Sequence, residues 1–270
     1  MSSTLRHGGV TTMAEPAGEG LSGAPEAPVS RRDRARADTM LEIKETARRV
    51  LVEHGTDGLA LRAIAREMGM TAPALYRYFA SREDLVEHVV ADLYNELSDV
   101  LEAARDAESH DAPGRQLLSA SRAFRGWATT HRAEFGLLFG SPAVRMGLRG
   151  HGVGEGPAEE AGHRFGGIFG TLIARLYLEV GFPIPDEAEM TPALREQLGD
   201  WCETMPVPLP LGVMYVFLSS WIRLYGMVCM EVFGHLRFAL DDAEPMFEAE
   251  LRALGEALGV GDQYGLPTGA

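Results

Sequence analysis

The chain has 270 residues, 46% apolar and 24% charged, with 39 acidic against 25 basic side chains and a formal net charge of −14. That composition fits a globular chain of one large or two modest domains and excludes a protein that coats nucleic acid along its whole surface. The two cysteines, Cys202 and Cys229, lie far apart, which excludes a disulfide scaffold and a zinc-ribbon or iron–sulfur arrangement.

The charge is unevenly spread. Residues 31–90 hold 11 basic and 10 acidic groups, whereas 91–110 hold 1 and 6, and 111–270 hold 12 and 20. Only the 31–90 segment lacks an acidic excess, and it opens with Arg31, Arg32, Arg34 and Arg36. This run fits either a solvated tail or an arm touching phosphate or minor groove. The first residues lack the cationic start and apolar middle of a secretory signal. The apolar stretch Leu209 to Phe233 is interrupted by Arg223 and Glu231, so no membrane span is expected there and the cytoplasm is the expected compartment.

In chain order, residues 1–30 are rich in Gly, Ser, Ala and Pro and read as a disordered tail. Thr39 with Glu42 fits a capping box, Ile43, Ala47, Val50 and Leu51 recur at helical spacing, and Gly55 stops that helix. Two very short helices follow, 61–69 and 72–79, joined at Met70 and Thr71. Ser81 with Asp84 then caps a long helix running toward Pro113 and Gly114. Further helices are expected at 115–139, 159–180, 192–201, 211–233 and 242–258, with a mobile glycine-rich loop at 141–157 and a tail at 261–270. No stretch alternates with period two, so the expected fold is all-α.

The two short helices carry the most information. Neither buries enough surface to stand alone, so both must dock on the helix before them. Three helices with a tight turn before the last match helix-turn-helix geometry, in which that last helix enters the DNA major groove with its N-terminal end leading. Leu75 and Phe79 would face inward, while Ala72, Pro73 and Ala74 are small enough for close approach to base edges. Arg77 would point outward with the fork that suits guanine O6 and N7. Thr71, Tyr76, Tyr78, Arg82 and Arg62 suit phosphate contacts.

The run from Thr39 to Val90 resembles the DNA-binding domain of the tetracycline-repressor (TetR) family. Glu53-His54-Gly55, Ile64-Ala65, Gly69, Leu75-Tyr76, Phe79, Ser81 and Leu85 carry the likeness at matching spacings. Residues 115–258 resemble the family's ligand-sensing domain of the kind called WHG, through Trp127, His131, Phe135, Phe139 and the stretch around Trp221 and Gly226. Two positions depart from the family pattern: Ala60 stands where Thr or Ser usually opens the first short helix, and Tyr225 where a histidine is expected. The resemblance implies a domain at 31–90 that binds operator DNA and a helical ligand-binding and dimerisation domain at 91–260. It also implies a homodimer through 211–233 and 242–258, with reading helices about 34 Å apart. The near-uniform apolarity of 211–233 independently calls for burial against something beyond its own core.

Trp127, Phe135, Phe139, Phe169, Tyr177, Phe217, Trp221 and Tyr225, with Met214 and Met227, are the types that line an apolar small-molecule cavity, and equally the types that make plain core. His131, His163 and His235 read as surface or core-edge residues. Gly150–Gly156 lacks the preceding strand and the Gly-Lys-Ser/Thr of a phosphate loop. No catalytic or metal-binding constellation stands out, and no cofactor is expected. These observations favour a transcriptional regulator, most simply a repressor released from its operator by a small molecule. The alternative is an all-helical ligand carrier or enzyme whose tri-helical part is only structural.

Overall fold

The computed structural model describes residues 30–140, 156–203 and 208–265. The expected N-terminal tail up to residue 29, the glycine-rich loop from 141 to 155 and residues 266–270 lie outside the described residues. The chain divides into two compact units, 1–38 and 39–270. In the first, residues 31–38 are helical and solvent-exposed, and Ser30 caps them: its Oγ donates to the Asp33 carboxylate at 2.7 Å and accepts the Asp33 N–H at 3.1 Å.

Ten helices are assigned among the described residues: α1 Arg31–His54, α2 Leu61–Glu67, α3 Ala72–Leu75, α4 Arg82–Asp106, α5 Pro113–Thr130, α6 Arg132–Gly140, α7 Pro157–Glu179, α8 Pro192–Cys202, α9 Leu211–Val232 and α10 Glu244–Ala257. No strand occurs among these residues. The expected start of α1 at Thr39 is corrected. The Ser30–Asp33 cap opens the helix eight residues earlier, and alanines and arginines, both good helix formers, continue it. The single helix expected at 115–139 is also corrected. It breaks at His131, whose backbone leaves the helical region at φ −119°, so α5 and α6 meet at a corner.

Within 39–270, α4 is the axis. Its buried stripe of Leu85, Val89, Leu93, Leu97 and Leu101 packs along α5 and α7 and continues into the short helices before it. The α9 helix is long and apolar enough to cross a membrane, with mean hydropathy 1.4, because Arg223 and Glu231 dilute it less than the sequence reading allowed. One side of it is core: Val213, Phe217, Trp221, Leu224 and Val228 are buried against α5, α7, α8 and α10. Residues 261–265, expected as tail, are packed instead. Gly261–Gln263 forms a 3₁₀ turn, and the Tyr264 hydroxyl donates to the Glu248 carbonyl at 3.2 Å with the Arg122 and Arg252 guanidinium groups over its ring.

Candidate functional site

The tri-helical head is built around a small dry core. Ile43, Val50 and Leu51 of α1, Leu61 and Ile64 of α2, Leu75 of α3, then Phe79 and Leu85, are all at most 4% exposed. Between α2 and α3 the chain reverses at Gly69, whose φ of +65° favours glycine. The Met70 N–H donates to the Ala65 carbonyl at 2.8 Å and the Gly69 N–H to Arg66 at 3.2 Å, a Schellman closure that fixes the turn. Thr71 then caps α3, its Oγ accepting the Ala74 N–H at 3.3 Å, with Pro73 in the first turn. The α-helical hydrogen bonding is short, but the turns continue to Phe79 through Tyr78 N–H to Leu75 (2.9 Å) and Phe79 N–H to Leu75 (3.2 Å). The 72–79 segment is therefore anchored at its middle by Leu75 and at its end by Phe79, each fully buried. Its outer side presents Thr71, Pro73, Tyr76 and Arg77 to solvent, with Ala72, Ala74 and Tyr78 half-buried.

Ion pairs fix the head to α4 and hold its helices together. Arg49 of α1 binds Glu67 of α2 at 2.6 Å, and Lys44 of α1 binds Asp92 of α4 at 2.6 Å. Arg82, at the start of α4, donates through Nε to the Leu59 carbonyl and through Nη2 to the Thr56 carbonyl, both at 2.8 Å. One network reaches further. The Arg48 guanidinium of α1 holds Glu96 of α4 and donates through Nε to Glu134 of α6 at 3.1 Å. Glu96 also accepts the Trp127 indole N–H of α5 at 2.9 Å, and the His131 ring stacks on Trp127 at 4.9 Å. Burial pushes the Glu96 carboxyl up, but the bonds from Arg48 and Trp127 outweigh it and hold the group below its ordinary range. Glu134 is only 6% exposed, so Arg48 is the counter-charge that makes its burial tolerable.

Behind this network lies an aromatic cage. Tyr94 of α4 meets Phe139 of α6 and Phe165 of α7 at 5.9 and 5.6 Å, and Phe124 of α5 touches Phe135, Phe165, Phe169 and Trp221 at 5.6–6.3 Å. Tyr225 stacks on Trp221 at 5.6 Å and donates its hydroxyl to the Phe139 carbonyl at 3.1 Å. The Tyr94 hydroxyl and the Ser98 Oγ, one turn apart on α4, are buried without a hydrogen-bond partner among the described residues. Burial alone pushes the Tyr94 phenol far above its ordinary range. Next to the cage is an apolar cavity of about 30 Å³ between α5 and α7 on one side and α9 and α10 on the other. It is lined by Leu117 and Ser121, Phe169, Phe217 and Trp221, and Leu254, among others.

Comparison with known proteins agrees with this layout. The profile described as bacterial regulatory proteins, tetR family, matches residues 43–89, and that of the tetracyclin repressor-like C-terminal domain matches 117–254. The HTH-type transcriptional regulator Rv1816 of Mycobacterium tuberculosis is 32% identical over 234 residues, spanning 84% of this chain and 94% of that protein. The chain belongs to the tetR family. It is a DNA-binding transcriptional regulator with an all-helical fold and a helix-turn-helix head. A regulatory protein designated SCO4313 has a crystal structure that superposes with a TM-score of 0.62 at 28% identity, over 83% of this chain and 98% of that one. RolR, whose structure contains resorcinol, shares the fold at 18% identity and a TM-score of 0.50, over 88% of this chain and 99% of that one.

The sequence-selected residues of this family member fall into distinct places. Thr71, Ala72, Pro73, Ala74, Tyr76, Arg77 and Tyr78 come together on the 71–78 segment, and Arg62 is exposed on α2. Arg82 donates two of its five N–H groups to the Leu59 and Thr56 carbonyls, which braces the loop before α2, and its side chain stays 46% exposed. Ala60 opens α2 with no side-chain cap, as its missing oxygen requires. Of the aromatic set, Phe169, Phe217 and Trp221 line the cavity. Phe135, Phe139 and Tyr225 belong to the cage, Trp127 to the Glu96 network, and Tyr177 packs against Phe182 at 5.3 Å. Arg48, Glu96 and Glu134 were missed: they lie 38 to 86 positions apart and no short spacing links them. The aliphatic cavity walls were missed too, because a leucine beside a cavity has the same local pattern as one in solid core.

Proposed function

We propose that the protein is a homodimeric repressor that leaves its operator when a small molecule binds its helical core, and that its part is to bind and not to catalyse. The observation that carries this reading is the 71–78 segment: capped by Thr71, pinned by Leu75 and Phe79, and solvent-facing at Tyr76 and Arg77. Ala72, Pro73 and Ala74 bring its start close to base edges, Arg77 reads guanine, and Arg62, Thr71, Tyr76, Tyr78 and Arg82 hold phosphates. The domain from 31 to 90 does the reading and 91–260 the sensing and dimerisation, in the cytoplasm where the DNA is.

The dimer reading rests on α9 and α10. On α9, Tyr215, Ile222 and Met230 are 39–60% exposed, and Met246 of α10 is 43% exposed. Water is a poor neighbour for such a row, and a second copy covers it. RolR binds resorcinol, and a small effector of some kind is proposed here too. Binding in the core shifts α5 or α6, and Arg48–Glu96–Glu134 passes the shift to α1. By linkage, operator DNA weakens the effector by the factor with which the effector weakens DNA, a coupling of ~1–3 kcal/mol. Selection of bound duplexes from random sequence tests the reading: a two-fold symmetric site with half-sites one helical turn apart, bound less tightly as salt rises, is expected. If Arg77→Ala and Tyr78→Phe both bind that site like the parent, the reading segment is misassigned. A promoter–reporter assay separates repressor from activator.

A further inference from the structure

We propose that the effector is an uncharged, largely aromatic or hydrocarbon molecule that enters the cavity between α5/α7 and α9/α10 and acts by driving α9 and α10 outward. This rests on the reading of the protein as an effector-controlled regulator and adds the chemistry of the effector and the place where it pushes. Among the described residues the cavity wall contains no charged side chain, and its only hydroxyls are Ser121 and Ser220. The Ser121 hydroxyl already donates to the Leu117 carbonyl at 2.8 Å, which leaves it only acceptor lone pairs. An ion brought into such a wall finds no counter-charge and loses its water, so carboxylates and ammonium ions are excluded, whereas a ring or chain bearing one hydroxyl is accepted.

Neighbouring charges do not change this, because they are already spent on one another. Arg122 of α5 binds Glu248 of α10 at 2.8 Å, and Arg125 of α5 binds Glu231 of α9 at 2.7 Å and Glu244 of α10 at 3.2 Å. These pairs staple α5 to α9 and α10. The cavity, at about 30 Å³, has room for only a few water-sized molecules. Pockets for small organic ligands run to roughly 300–1,000 Å³. An occupant therefore has to part the walls, and α9 is the wall taken to move: its far side, with Tyr215, Ile222 and Met230, is 39–60% exposed, and the movement works against the ion pair that ties it to α5. That same side is the proposed contact with the second subunit, so a wedge in the cavity alters the dimer directly, in addition to any shift sent through Arg48.

The test uses the full chain and four probes of one shape: toluene, benzyl alcohol, benzoate and benzylammonium. Binding is read by tryptophan fluorescence, because Trp221 lines the cavity and Trp201 stacks on Phe217 at 5.4 Å, and by the shift in melting temperature. Toluene and benzyl alcohol are expected to bind about tenfold or more tightly than either ion and to raise the melting temperature. Ser220→Leu fills the cavity from α9 and is expected to abolish the preference. Gly255→Ala adds a methyl that meets Leu118 and Val260 at no less than 3.7 Å, so it fills without clash and carries the test should the leucine variant not fold. Equal binding of the charged probes overturns the effector class, and parental binding by the filled variants overturns the site. Operator binding by the probe-free protein is measured alongside. If it is present while no uncharged probe binds, this inference fails and the regulator stands; if it is absent, the regulator reading fails on its own account.

Discussion

The head and the sensing core handle the same apolar chemistry in opposite ways. In the head, apolar residues such as Leu75 and Phe79 serve only as anchors, and the residues assigned to DNA, Arg77 and Tyr76, stand outside them in solvent. In the core, the residues assigned to the effector are themselves the packing: Phe169, Phe217 and Trp221 line a cavity and hold helices together at once. The difference teaches where function and stability separate. An exposed reading residue is replaceable at little cost to the fold, whereas a cavity-lining residue carries both burdens.

The largest effect is expected where the head's anchor is removed. Phe79→Ala leaves a void at a fully buried position packed edge-on to His88 at 5.3 Å, and loses about 3–5 kcal/mol. Chemical denaturation measures it. A loss under about 1 kcal/mol would show that α2 and α3 do not depend on this core. Operator binding is expected to vanish with it.

Arg48→Ala probes the joint between the two regions. It strands the buried Glu134 carboxylate and deletes three charge-assisted bonds, for an expected loss of about 1.5–3 kcal/mol. It also blunts effector response while operator binding persists, which paired gel shifts with and without effector would detect. The pH dependence has a definite sign. The folded carboxyl of Glu96 is depressed, so its stabilisation is present above the unfolded value, about pH 4.3, and is lost as pH falls through the lower folded value. Acid unfolding of the parent between roughly pH 5 and 3 is therefore expected to be steeper than that of Arg48→Ala. Parallel curves would break the assignment.

Arg77→Ala should show the separation cleanly. Operator affinity is expected to fall by ~1–3 kcal/mol, and stability by no more than the roughly 1 kcal/mol of an exposed polar contact. A large stability change with unaltered affinity would reverse the comparison. The smallest effect is expected at Tyr94→Phe. Deleting a hydroxyl buried without a partner stabilises the core by up to about 1 kcal/mol, read from the denaturation midpoint. A destabilised variant would mean that the hydroxyl has a partner in solution.

The head was legible in the sequence because its information is local. Gly69, Thr71, Leu75 and Phe79 lie within eleven positions, and cap, turn and apolar spacing are fixed by backbone geometry. The errors there have local causes too: Thr39 with Glu42 looks like a cap until Ser30 with Asp33 supplies one earlier. For Arg82, a proposed phosphate ligand, sequence gives no hint of its further bonds to the Leu59 and Thr56 carbonyls 23 and 26 positions away. In the core the same reasoning had less to hold. Aromatic identity pointed to the helical core, but Tyr177 and Phe169 have indistinguishable patterns along α7, and of these two the second lines the cavity.

By itself the sequence determined an all-helical chain, a capped and anchored reading segment, a long connecting helix and an apolar C-terminal half, since each depends on interactions within a few turns of one helix. Only the tertiary structure decided that Arg48, Glu96 and Glu134 form one joint, that Tyr94 and Ser98 are buried without partners among the described residues, and that an apolar gap lies between α5/α7 and α9/α10. These belong to packing between distant segments. Helix periodicity says which face turns inward, but which side chain it meets there is set by how ten helices share one interior.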